Sequence, residues 1–139
     1  MRSATSCGVV LLRERPVRSV LVLRLYRNHD LPKGHLEAGE DERGCALREL
    51  VEETAIPADA VRLDPTFRAT TRYHARVPGG MVDKTLVVFL GWIERDVPIR
   101  LTEHHGFAWI PWANREIVDS RIIRPLFAAV EQRLSEAST

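Results

Sequence analysis

Seven of the nineteen carboxylates in this 139-residue chain, Glu37, Glu40, Asp41, Glu42, Glu49, Glu52 and Glu53, fall within seventeen residues. The stretch from Asp41 to Thr54 lacks proline and favours a helix, with Asp41 a suitable N-cap. On a helix turning about 100° per residue, Glu49, Glu52 and Glu53 share one arc of roughly 100°, leaving Leu47, Leu50 and Val51 to face the core. A solvated face explains most such pairs. Here, however, like charges three and four residues apart each cost a few tenths of a kcal/mol, and a half-buried pair about 4 Å apart repels by about 4 kcal/mol at an effective dielectric near 20. Arg48, alone beside them, cannot neutralise three carboxylates. The cluster calls for a cation, and oxygen-only ligands select Mg²⁺, with Mn²⁺ as a substitute, over zinc.

From Gly34 the chain runs glycine, five residues, Glu40, seven residues, Arg48-Glu49-Leu50, one residue, Glu52-Glu53, one residue, Ala55-Ile56. This resembles the Nudix box, G-x5-E-x7-R-E-U-x-E-E-x-G-U with U aliphatic, except that Ala55 replaces its second glycine. That position suits a left-handed residue closing the helix, a conformation costing alanine about 1 kcal/mol. The resemblance implies an α/β Nudix fold, an α/β/α sandwich with a mixed sheet, and a Mg²⁺-dependent hydrolase of nucleoside diphosphates linked to another moiety. It implies Glu49, Glu52 and Glu53 as metal ligands, joined by the Lys33 carbonyl. Arg48 would orient the carboxylates, and Glu40 would support the loop or an outer ion. Cations suit the chemistry: they neutralise pyrophosphate oxygens and acidify a bound water.

The box labels a reaction; substrate choice lies outside it. The string Asp30-Leu31-Pro32-Lys33-Gly34-His35-Leu36-Glu37-Ala38-Gly39-Glu40 resembles the W-D-L-P-K-G-H-x-E-x-G-E of asymmetric diadenosine tetraphosphate hydrolases, with His29 in place of the usual Trp. By this resemblance Lys33 contacts a distal phosphate, Tyr73 stacks on adenine, and Lys84, opening a K-T strand, points at the polyphosphate. Leu101-Thr102-Glu103-His104, followed by Phe107 and Trp109, is similar to the S-x-E-H loop and its aromatic. Glu103 would then be a distant metal ligand or the base, with Glu52 its rival for the proton, and Phe107 a second stacking platform. The expected activity is cleavage of diadenosine tetraphosphate to ATP and AMP. Alternatives are a diphosphoinositol polyphosphate, a nucleoside triphosphate, a capped RNA end, or a module that binds nucleotide without cleaving it.

Positioning these groups requires strands over Thr5 to Leu12 and Arg18 to Tyr26, then the acidic helix stopped by Pro57. An extended segment follows over Val61 to His74, and Pro78-Gly79-Gly80 make a turn. The run Lys84 to Glu94 is too continuously apolar for simple alternation and predicts a central strand buried on both faces. Phe107 to Trp112 reads as a last strand. Apolar residues from Ile117 to Leu134 recur at helical spacing, with a break before Pro125.

Length and composition predict one domain over residues 1–139, large enough to fold alone. A net charge of +1 excludes the diffuse field of a generic nucleic-acid binder. No apolar run spans a bilayer, and no secretory h-region follows Met1. Cys7 and Cys45 lack CxxC spacing, so neither a disulfide framework nor a zinc knuckle is expected, and the default location is cytoplasmic. The expected partner is a small nucleotide, with monomer and homodimer both open. Of twenty basic residues only Lys33 and Lys84 are lysine, and both fall where the resemblance expects phosphate.

Overall fold

The computed structural model describes residues 2–137. Its strands are β1 (Arg2–Arg13), β2 (Ser19–Leu25), β3 (Asn28–Asp30), β4 (Lys33–His35), β5 (Val61–Leu63), β6 (Ala69–Val77), β7 (Gly80–Ile93) and β8 (Gly106–Pro111). Two helices accompany them, α1 (Glu42–Thr54) and α2 (Ile123–Ala137). The strands form one mixed sheet in which β1 and β7 run parallel and every other pairing is antiparallel.

Strand β7, apolar from Leu86 to Ile93, is central, pairing with β1, β5 and β6. Its alternation feeds both cores. Val87 and Phe89 join Cys7, Val9, Leu11, Leu21 and Leu23 beneath Cys45, Ala46 and Leu50 of α1. Leu86, Val88 and Leu90 join Val10, Leu12, Val20 and Val22 beneath Leu126, Phe127 and Val130 of α2. Burying Cys7 pushes its thiol up to about 12, so it stays protonated, and both cysteines are free.

The strands β1 and β2 pair only at Leu12–Val20 and Arg13–Ser19, and then separate. Into the gap comes β4, which pairs with Ser6 to Gly8, while the Pro32 carbonyl accepts the Val9 N–H at 3.2 Å. Gly8 permits this approach, because a Cβ there would strike the Pro32 carbonyl. The splayed strands thus set the loop before Gly34 against α1.

Asp41 caps α1, its side chain accepting the Gly44 N–H at 2.7 Å. Ala55 ends it at φ 65°, left-handed, donating its N–H to the Val51 carbonyl. Ala55→Gly should therefore raise stability by up to about 1 kcal/mol, the left-handed cost being partly offset by a more flexible unfolded chain. In a thermal melt that is a gain of about 3 °C; an unchanged or lower midpoint would contradict the strain.

Three expectations need correction. The core face of α1 is Cys45, Ala46, Leu50 and Thr54, while Leu47 is half-buried and Val51 is 38% exposed. At about 100° per residue, Glu49 and Glu53 sit within that buried arc, so acid and core share a flank. The segment Val61 to His74 is broken: Asp64 accepts the Thr66 and Phe67 N–H groups and turns the chain between β5 and β6. The last helix begins at Ile123, not Ile117. Pro125 occupies its first turn, where no N–H is needed, and a 3₁₀ segment Trp112–Ile117 precedes it.

Candidate active site

Arg48 organises the acidic face of α1. Its Nε and Nη2 donate to the two oxygens of Glu40 at 2.6 and 2.9 Å, and Nη2 also donates to the His35 carbonyl at 3.1 Å. Its Nη1 reaches Glu49 at 2.9 Å and Glu52 at 3.2 Å. Hydrogen bonding to Arg48 holds the Glu40 carboxyl down at about 2, and these carboxylates raise the Arg48 pKa still further. Glu49 lies against Gly34, where an added Cβ would overlap its carboxylate. The box glycine is therefore a seat for a carboxylate.

Glu53 is held differently. Its Oε1 accepts the Lys33 backbone N–H at 2.9 Å, and its side chain is only 14% exposed. Burial pushes its carboxyl up to about 7, against the lowering pull of the Lys33 N–H and nearby His104. A carboxylate that desolvated gains from a cation. Glu49, Glu52 and Glu53 offer hard oxygen donors with no thiolate or imidazole among them, which fits Mg²⁺ or Mn²⁺. They are not a preformed cage: Glu52, 56% exposed, rests on Arg48, and among the described residues no three acidic, His or Cys side chains are already placed to hold a metal ion. Glu103 is exposed on the loop before β8, which docks on α1 as Thr102 Oγ1 donates to the Glu52 carbonyl at 3.3 Å.

A cleft of about 660 Å³ opens beside this face, lined by Lys33, Tyr73, Leu86, Ile122, Asn28 and Asp119 among others. Lys33 joins the two regions, with its backbone on Glu53 and its side chain in the cleft. Lys84 stands directly opposite Tyr73 across the β6–β7 ladder but lines a neighbouring cleft of about 370 Å³ with His35 and Val77. Phe107 does not join Tyr73. It pairs with Leu23, whose side chain packs beneath α1, whereas Tyr73 packs on the α2 side. Directly opposed residues share a face, so the sheet separates the two expected platforms.

Two residues given no role from the sequence meet here. His104 Nε2 lies 2.9 Å from Asp30 Oδ2, and His104 Nδ1 lies 3.8 Å from Glu53 Oε2. Asp30 and His104 are 74 residues apart, and no periodicity links them; only the motif strings that contain them gave a signal.

The NUDIX domain model matches residues 2–124. Asymmetrical bis(5'-nucleosyl)-tetraphosphatase of Rattus norvegicus is 38% identical over 117 residues, spanning 76% of this chain and 77% of that protein. The same-named protein of Mus musculus is 31% identical over the same spans. Among solved structures, a C. elegans Ap4A hydrolase binary complex superposes with a TM-score of 0.84 at 24% identity, covering 96% of this chain and 98% of that one. The NUDIX domain of Shewanella oneidensis NrtR complexed with ADP ribose gives 0.72 at 16% identity, covering 96% and 90%. With the box residues assembled on α1 and the domain match spanning most of its length, this chain belongs to the Nudix family of hydrolases.

Proposed function

We propose that this Nudix hydrolase cleaves diadenosine tetraphosphate asymmetrically to ATP and AMP, in the cytoplasm, with Mg²⁺ as its cation and Mn²⁺ as a substitute. The observation that carries this reading is Lys33, whose backbone binds Glu53 while its side chain enters the Tyr73 cleft. One residue thus ties the acidic face to an aromatic-walled cleft. The tetraphosphatases of rat and mouse are similar over three quarters of the chain.

Glu49, Glu52 and Glu53 would hold the cation, with the Lys33 carbonyl nearby and Glu103 as an outer ligand. When bound, the cation neutralises phosphoryl oxygens and supplies a more acidic water. Arg48 fixes Glu49 and Glu52. Glu52 or Glu103 accepts the proton as water oxygen bonds to the phosphorus nearest one adenosine and the bridging oxygen leaves with ATP. Lys33 and Lys84 carry phosphate charge as compact cations, and Tyr73 stacks on one adenine. Phe107, on the α1 side, is left for the far end of the dinucleotide.

The cleft sets Arg27 and Lys33 against Asp30 and Asp119, a poor match to a densely charged inositol polyphosphate. Incubation with a nucleotide panel, Mg²⁺ and ¹⁸O-water should give equal ATP and AMP with label in AMP. Symmetric ADP would overturn the reading, and no turnover would point to a binding module. Tyr73→Ala should raise KM by about tenfold, as expected when one stacked base contributes 1 to 3 kcal/mol. An unchanged KM would remove adenine from that wall.

A further inference from the structure

His104 is an unusual buried residue. Its side chain is 3% exposed and its Nε2 is satisfied by Asp30 at 2.9 Å, yet its Nδ1 is buried without a hydrogen-bond partner and faces Glu53 Oε2 at 3.8 Å. Buried side-chain nitrogens are in the large majority hydrogen-bonded, so an unpartnered one calls for an explanation. Asp30 is equally divided. Its Oδ1 accepts the Leu31 N–H at 2.9 Å and stands 3.5 Å from Lys33 Nζ. Because the Lys33 N–H donates to Glu53 Oε1 at 2.9 Å, the contacts close a ring: Lys33, Asp30, His104, Glu53 and back to Lys33. The four residues come from β3, β4, α1 and the loop before β8, so the ring ties four separate segments at one point.

We propose that Asp30 and His104 are a positioning pair that sets the distance between Lys33 on the cleft side and Glu53 on the metal side. Neither residue touches a reacting atom; both act through Lys33 and Glu53. Asp30 holds the Lys33 ammonium low in the cleft and fixes the His104 ring, and the ring restricts where Glu53 Oε2 can turn. The pair deepens the hydrolase reading and rests on Lys33 and Glu53 serving it.

The test uses the full chain with Asp30→Asn, His104→Gln and both together. Mn²⁺ affinity is read by electron paramagnetic resonance without substrate, hydrogen exchange is followed at the Lys33 amide, and KM and kcat are measured for the dinucleotide. Each single change should weaken Mn²⁺ binding by about 10- to 100-fold, as losses behind a metal ligand do. Each should also speed Lys33 exchange and raise KM. The double variant should be no worse than the worse single, because both act on one ring. Wild-type Mn²⁺ affinity and Lys33 exchange in a folded Asp30→Asn protein would overturn the proposal, as would losses that simply add. A residue kept only for packing would lower the melting point and leave these readouts unmoved. Should His104→Gln not fold, the nearly isosteric Asp30→Asn decides alone. Wild-type protein that binds Mn²⁺ but leaves the dinucleotide intact would sink the substrate reading alone, and the Mn²⁺ and exchange readouts would still judge the pair.

Discussion

Replacing Glu53 by Gln should lower kcat by about a thousandfold and, without divalent metal, make the folded protein more stable at neutral pH. The loss follows from charge: on the proposed Mg²⁺ reading, a cation at this site contributes several kcal/mol to the transition state, and about 4 kcal/mol corresponds to a thousandfold. Gln is isosteric, but it cannot supply the anionic oxygen. The gain follows from burial. Desolvation raises the Glu53 carboxyl from 4.5 to about 7 in the folded protein, so between those values the native state holds a proton that the unfolded chain has released. Native stability therefore falls as pH rises through that window and stays lowered above it, by at most about 3 kcal/mol. Glu53→Gln removes this slope, and saturating Mg²⁺ should weaken it in the wild type. Urea melts of both proteins at pH 4.5, 6 and 8, with and without Mg²⁺, read the effect. Parallel pH curves would show that Glu53 carries no buried-charge penalty, and near-wild-type kcat at saturating Mg²⁺ would remove it from the metal set.

What could be read from the sequence was local. The helix from Glu42, its Asp41 cap and the strained Ala55 all follow from neighbours in the chain, and the structure has them in place. The central strand was legible because two-sided burial leaves no polar alternation, although β7 starts at Gly80 rather than Lys84. Errors came where position depends on distant partners. In the sequence Glu49 and Glu53 look like solvent residues, whereas the Gly34 seat and the Lys33 N–H bury them beside the core of α1. The resemblance names Tyr73 and Phe107 as two platforms without saying how they lie to one another, and strand register puts them on opposite faces of the sheet. Asp30 and His104 meet only because β1 and β2 separate and the loop before β8 folds onto α1.

On the proposed role of Glu49 as a cation ligand, Gly34→Ala should cost about a hundredfold in activity with little loss of fold, a magnitude typical of disturbing the support of a metal ligand. The added Cβ would occupy the place of the Glu49 carboxylate. Two responses are open to the protein. Strand β4 can retreat, which would break its pairing with Cys7 and loosen the Lys33 N–H from Glu53. Alternatively Glu49, the free end of a side chain, rotates away. The second is cheaper, since it gives up one 2.9 Å bond to Arg48 and no backbone pairing. The variant should therefore keep a melting point within a few degrees of wild type while binding Mn²⁺ more weakly. Glu49→Gln supplies the comparison: if Gly34 acts by seating Glu49, the double variant should be no less active than Glu49→Gln alone. Additive losses would mean that Gly34 is needed for something other than Glu49, and β4 retreat would then appear as faster hydrogen exchange at Lys33.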